Sequence, residues 1–143
     1  MKLLQHILDG KPHRLIAVGA DTSVQQALET MARHDIGALL VQEGGEPVGI
    51  FSERDFARKA VQLGTACLDE PVRHLMSDKV ISVTLAQTVE ECMAIMTDRH
   101  IRHLPVTDGG GRVVGFLSIG DLVKETISEQ SFIIEQLTHY ITH

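Results

Sequence analysis

Twice in 143 residues the chain writes a glycine, two apolar residues, a serine and, three positions on, an aspartate. The two copies are Gly49-Ile50-Phe51-Ser52-Glu53-Arg54-Asp55 and Gly115-Phe116-Leu117-Ser118-Ile119-Gly120-Asp121. Ser-x-x-Asp ahead of a helical run is a capping arrangement: the hydroxyl takes an orphan amide and the carboxylate sits at the positive helix end. The same carboxylate has two acceptor oxygens, which suits two vicinal hydroxyls on a ligand. The glycine, having no Cβ, lets backbone or ligand approach closely. A second cluster is Arg102-His103, flanked by Ile101 and Leu104 at a strand start, where guanidinium and imidazole can clamp a phosphate. Arg54, in the first helical turn beside Asp55, adds an anion contact at a helix N-terminus, and Gly120 holds its place in the second copy. Gly37-Ala38 stands where Arg102-His103 stands in the other copy and offers no such donors. Two unequal sites are expected.

Other chemistries fare worse. His34-Asp35-Ile36-Gly37 spells the HDIG of metal phosphohydrolases, but such a centre needs further His and Asp ligands on neighbouring helices. Here the stretch is the turn after a helix and matches Arg99-His100-Ile101-Arg102. The other histidines, at 6, 13, 74, 100, 139 and 143, form no HxH or HExxH spacing. Gly109-Gly110-Gly111 joins strand to strand and lacks the helix and Lys-Ser/Thr of a phosphate loop. No GxSxG elbow or acid/base pair of carboxylates stands out. The reading is a protein without catalysis.

These residues need elements to position them, and the elements repeat. Val24 aligns with Val89, Met31 with Met96, Ile36 with Ile101 and Val41 with Val106 at one constant shift; after one inserted residue Gly49 meets Gly115 and Asp55 meets Asp121. Internal repetition of this length sets the architecture. Ser23-x-x-Gln26 and Thr88-x-x-Glu91 read as capping boxes. Apolar residues at 24, 27, 28, 31 and at 89, 92, 93, 96 give each following helix one buried face. Strands are expected at 15–18, 38–42 and 47–52, and again at 80–83, 103–107 and 113–118, with Gly-Gly turns at 44–45 and 109–110. Each unit is then β-α-β-β-α, too small to bury its sheet alone, so two pseudo-symmetric units should pack as a pair in an α+β fold.

Leu4-Gln5-His6-Ile7-Leu8 echoes Val72-Arg73-His74-Leu75-Met76 as a short amphipathic lead-in. Residues 64–71 read as the linker. The organisation expected is therefore 1–63 for the first unit with its short helix, 72–127 for the second, and 128–143 for a helical tail. That tail carries Ile133, Ile134, Leu137, Tyr140 and Ile141 at helical spacing.

Composition sets outer bounds. Lys and Arg number 13 against 19 Asp and Glu, a net charge of −6, which argues against binding a nucleic-acid backbone. The longest apolar run, Ile36–Val41, is far too short to span a bilayer. The N-terminus has no sustained apolar stretch or small-residue cleavage site. Cys67 and Cys92 form no disulfide framework, so reduced thiols in a cytoplasmic protein are expected.

Paired units of this pattern, each ending in Gly-apolar-x-Ser-x-x-Asp, resemble tandem CBS domains, also called a Bateman module, of the small stand-alone bacterial signal-transduction type. The likeness runs through residues 3–127, and Ile101-Arg102-His103-Leu104-Pro105-Val106 is typical of a second repeat. The resemblance implies two symmetry-related clefts for adenosine-containing ligands: AMP, ADP, ATP, NAD or S-adenosylmethionine. Carried over by position, one site combines Ser52, Arg54 and Asp55 with Ile81, Arg102 and His103, the Asp on the ribose hydroxyls and the Ser on ribose or phosphate. The other combines Ser118 and Asp121 with Ile16, Gly37 and Ala38. The lead-in GKPHRLI at 10–16 is longer than its counterpart SDKV at 77–80, which shifts the register of Ile16. The family likeness further implies a homodimer acting as a sensor on an unidentified regulated protein. The rival reading is a ligand-free dimeric scaffold that keeps the motifs as helix caps.

Overall fold

A computed structural model describes residues 3–10 and 15–142. Part of the long lead-in, residues 11–14 with His13, lies outside the described residues, as do Met1, Lys2 and His143. A short helix α1 (Leu4–Asp9) comes first. Then β1 (Ala17–Gly19) runs parallel to β2 (Ala38–Glu43), which returns antiparallel as β3 (Glu46–Ser52). The second unit repeats this order in β4 (Val83–Thr84), β5 (His103–Thr107) and β6 (Val113–Ser118). Parallel neighbours need a crossover, and α2 (Val24–His34) and α4 (Val89–Arg99) supply it. Helices α3 (Glu53–Leu63) and α5 (Ile119–Thr142) follow the third strands.

The four hairpin strands match expectation to within one residue. The first strand of each unit is shorter than expected and starts later, because parallel rungs begin only where Ala17 meets Leu40 and Val83 meets Val106. Both α2 and α4 end on a left-handed residue that is not glycine, Asp35 at φ 53° and His100 at φ 55°. The amides that follow, of Ile36 and Ile101, donate back to the carbonyls of Met31 and Met96, closing each terminus. This places the His-Asp pair of HDIG at a helix end. Among the described residues no three His, Cys, Asp or Glu side chains are grouped to hold a metal.

Packing crosses the expected boundaries. Helix α1 precedes the first unit, yet Leu4, Ile7 and Leu8 are buried in the core of the second, with Val89, Cys92, Met96, Leu104 and Leu122. The Leu4 amide donates to the Gln87 carbonyl. Conversely Val72 and Leu75, with Met76, pack into the first unit's core beside Met31, Leu39 and Phe51. Backbone bonds from Val24 to Glu70 and from Val72 to Thr22 seal that exchange, and Arg73 pairs with Asp21. Each lead-in thus covers the unit it does not precede. Residues Gly64–Asp69 form a 3-10 turn with Cys67 buried, so the expected linker is packed structure. A third, smaller cluster of Ala38, Leu40, Ile50 and Val113 with Val80 and Phe116 joins the two sheets. The tail is the second half of the continuous helix α5.

Candidate functional site

The capping boxes form at the repeated motifs. Ser52 Oγ accepts the Asp55 amide at 3.2 Å, while Asp55 Oδ2 accepts both the Ser52 amide and the Ser52 hydroxyl at 2.9 Å. Ser118 and Asp121 close the same reciprocal pair, at 3.1 and 2.9 Å. The boxes expected at Ser23 and Thr88 are one-sided: each hydroxyl accepts its third amide, and the Glu91 carboxylate takes the Thr88 hydroxyl instead of the backbone N–H. At Ser52 the lone O–H is already donated, so the serine has only a lone pair for a ligand. Asp55 keeps Oδ1 open. The two free carboxylate oxygens expected for a diol are therefore reduced to one.

The motif glycines serve packing. A Cβ on Gly115 would sit 2.6 Å from Leu8 Cδ2, and one on Gly49 would overlap the sulfur of Met76. What approaches each glycine closely is a side chain of the exchanged lead-in.

Between the units opens a cleft of about 380 Å³. Ser52, Arg54 and Asp55 line it from the first unit, and Arg102 and His103 from the second. The Arg102 carbonyl accepts the Ile119 amide at 2.8 Å, which holds that residue at the strand start. Among the described residues, Arg54 and Arg102 have no ion pair. His103 stacks on Phe116, with ring centroids 5.3 Å apart and planes within 12°. Four of the expected residues are placed as follows. Gly37, assigned to the other site, lines this cleft, and its carbonyl accepts the Glu53 amide at 3.0 Å. Ile81 packs against the second unit's core and does not line the cleft. Ala38 is buried between the sheets, and Ile16 packs on the first unit's core.

Sequence reading missed Ile50, Ser77, Lys79, His100 and Ile101, which also line the cleft. Ser77 pairs with Ile50 through two backbone bonds of 2.9 Å, adding a rung beside β3. Lys79, ahead of β4, donates its ammonium to the Arg99 carbonyl at the end of α4, at 2.7 Å. The one signal available was the neighbourhood of Arg102, since His100 and Ile101 adjoin it in the chain.

A family model for the CBS domain matches residues 12–62 and 72–128, one copy on each unit. The chain belongs to the CBS-domain family. It is 36% identical over 126 residues to the CBS domain-containing protein CBSX3, mitochondrial, of Arabidopsis thaliana, an alignment covering 85% of this chain and 61% of that one. A structure of a protein with CBS domains from Burkholderia ambifaria MC40-6 superposes with a TM-score of 0.82 at 42% identity, covering 90% of this chain and 96% of the other. A CBS domain pair in complex with 5′-methylthioadenosine and S-adenosyl-L-methionine superposes with a TM-score of 0.76 at 26% identity, covering 90% and 98%. The CBS pair is thus the whole of the repeated architecture here. Among the described residues no helix is long and apolar enough to cross a membrane.

Proposed function

We propose that the Asp55 cleft binds an adenine nucleotide and that the protein is a non-catalytic cytoplasmic sensor, its shape or partner binding changing on ligation. The observation that carries this is the pair of unpaired guanidiniums, Arg54 and Arg102, brought from different units to one cleft that also holds Asp55. In a chain of net charge −6, cations without carboxylate partners are poised for an anion. Asp55 Oδ1 takes a ribose hydroxyl and the stacked His103–Phe116 pair borders the base. The complex of a structural neighbour with two adenosine compounds supports the choice of base. AMP and NAD fit the charge of this cleft, with ATP as a larger candidate. The Asp121 site, which lacks the Arg102 equivalent, suits a less anionic ligand such as S-adenosylmethionine. Ligation acts through differential affinity, since a ligand across the two units favours the arrangement in which both walls reach it.

A ligand-free scaffold is the second reading, favoured by the closed capping boxes, which account for Ser52 and Ser118 without a ligand. It leaves Arg54 and Arg102 unexplained. Thermal melts separate the two readings. At a hundredfold excess over Kd a ligand of the folded state adds about 2.7 kcal/mol, so AMP, ATP or NAD should raise the melting temperature by several degrees and GMP should not. Equal shifts with guanine and adenine nucleotides, or none with either, would sink the adenine reading.

A further inference from the structure

We infer that two copies of the chain pair antiparallel along α5, centred on Gln130, so that each tail covers the apolar residues at the start of its partner's α5. The inference is independent of any ligand. At about 100° per residue, Ile119, Val123, Ile127, Ile134, Leu137 and Ile141 fall on one side of the helix, with Gln130 at the middle of the row. The stripe runs the whole of α5, whose 24 residues span about 36 Å. It lies about a quarter-turn from the side on which Leu122 and Thr126 pack onto the second unit. It is therefore open even in the packed half of the helix, where Ile119 and Val123 are 40% and 39% exposed. From Gln130 to Ile141 every residue is exposed.

A second copy suits this stripe because the stripe is complementary to itself, and three features set the direction. In an antiparallel pair, residues equally far on either side of Gln130 face each other, so Ile119 meets the partner's Ile141 and Val123 meets the partner's Leu137. Each free tail then lies on a packed half. A parallel pair would instead force the two packed halves, each carrying its sheet and α4, to lie side by side. Gln130 meets its own copy on the twofold axis. A primary amide has both donors and an acceptor to satisfy a mirrored amide, and a single polar position in a seam fixes register. The third feature is charge. Lys124 and Glu135 share one flank of the stripe, and among the described residues neither has an ion pair. The antiparallel register brings Lys124 within about one residue of the partner's Glu135, twice by symmetry, whereas a parallel one leaves them about 16 Å apart along the axis.

Cysteine cross-linking and charge reversal on the full chain test this, with a circular-dichroism melt of each variant to report folding. Under mild oxidation with glutathione disulfide, Gln130→Cys should form a disulfide-linked dimer. Val123→Cys and Leu137→Cys, co-expressed with different tags, should cross-link to each other at least tenfold more than either does alone. Cys67 and Cys92 are buried, and the unaltered chain serves as the blank. Lys124→Glu and Glu135→Lys should each weaken the dimer by roughly three- to tenfold on dilution in light scattering, and the double variant should restore it. Leu137→Cys cross-linking to itself as readily as to Val123→Cys would mean a parallel pair and overturn the inference. A double charge reversal as weak as the single ones would overturn the register. A full chain that stays monomeric at tens of micromolar would overturn the pairing altogether.

Discussion

Asp55 Oδ2 accepts two hydrogen bonds from Ser52, and Oδ1 is what remains for chemistry. A single residue thus caps a helix and faces a cleft, and the two roles divide between its oxygens. The residue types and the spacing were readable in the chain; the division was not, because it depends on which rotamer the cap selects. Cys92 makes a different point at this scale. Burial in the second core, with the Glu91 carboxylate adding, pushes its thiol up from about 9 to about 11. The fold therefore favours the neutral thiol. Its contribution to stability is complete below about pH 9 and is lost as pH rises through about 11. Denaturation midpoints of the unaltered chain should fall between those values by more than in a Cys92→Ala variant, and at neutral pH the thiol should resist alkylation in the native state. Ready alkylation of Cys92 at pH 7 without unfolding would contradict this.

At the scale of elements, the helices, hairpins and their order followed from local pattern, since periodicity and caps act within a few residues of the chain. What could not be read is which lead-in covers which unit. Leu4 to Leu8 and Val72 to Met76 look alike, and their exchange is decided by contacts far apart in sequence. Lys79 was missed for the same reason: the Ser77–Ile50 rung that places it has no local signature. The exchange is testable through Gly115, whose missing Cβ admits Leu8. Gly115→Ala should destabilise the protein by about 1–3 kcal/mol through overpacking, and Leu8→Ala by about 2–5 kcal/mol through the cavity it leaves. The double variant should cost less than the two together, because the shortened side chain at position 8 makes room for the new methyl. Urea denaturation of the three variants measures this. Strict additivity would mean that Leu8 does not sit over Gly115.

At the scale of the whole molecule, two sheets share a small apolar seam and exchange their covers, which leaves the inter-unit cleft as the polar junction of the pair. Beyond Glu129 helix α5 has no buried residue through Ile141, and Phe132, Leu137 and Tyr140 are 60%, 58% and 83% exposed. Ile127, Ile134 and Ile141 recur at seven-residue intervals with Leu137 between them, the seam of a two-stranded helical contact. We propose that a second copy of the chain covers it. Light scattering should therefore give a dimer for the full chain and monomers or aggregates after truncation following Ser128, and a monomeric full chain at tens of micromolar would refute it. Calorimetry tests the cleft itself. AMP, adenosine and GMP are titrated into the unaltered chain and into Arg102→Ala. AMP should bind more tightly than adenosine, and GMP weakly. Arg102→Ala removes a charge-assisted bond worth about 1.5–3 kcal/mol, so AMP should weaken by roughly 10- to 150-fold while adenosine is nearly unchanged. An equal loss for AMP and adenosine, or binding of GMP as tight as AMP, would contradict a phosphate-reading adenine site between the two units.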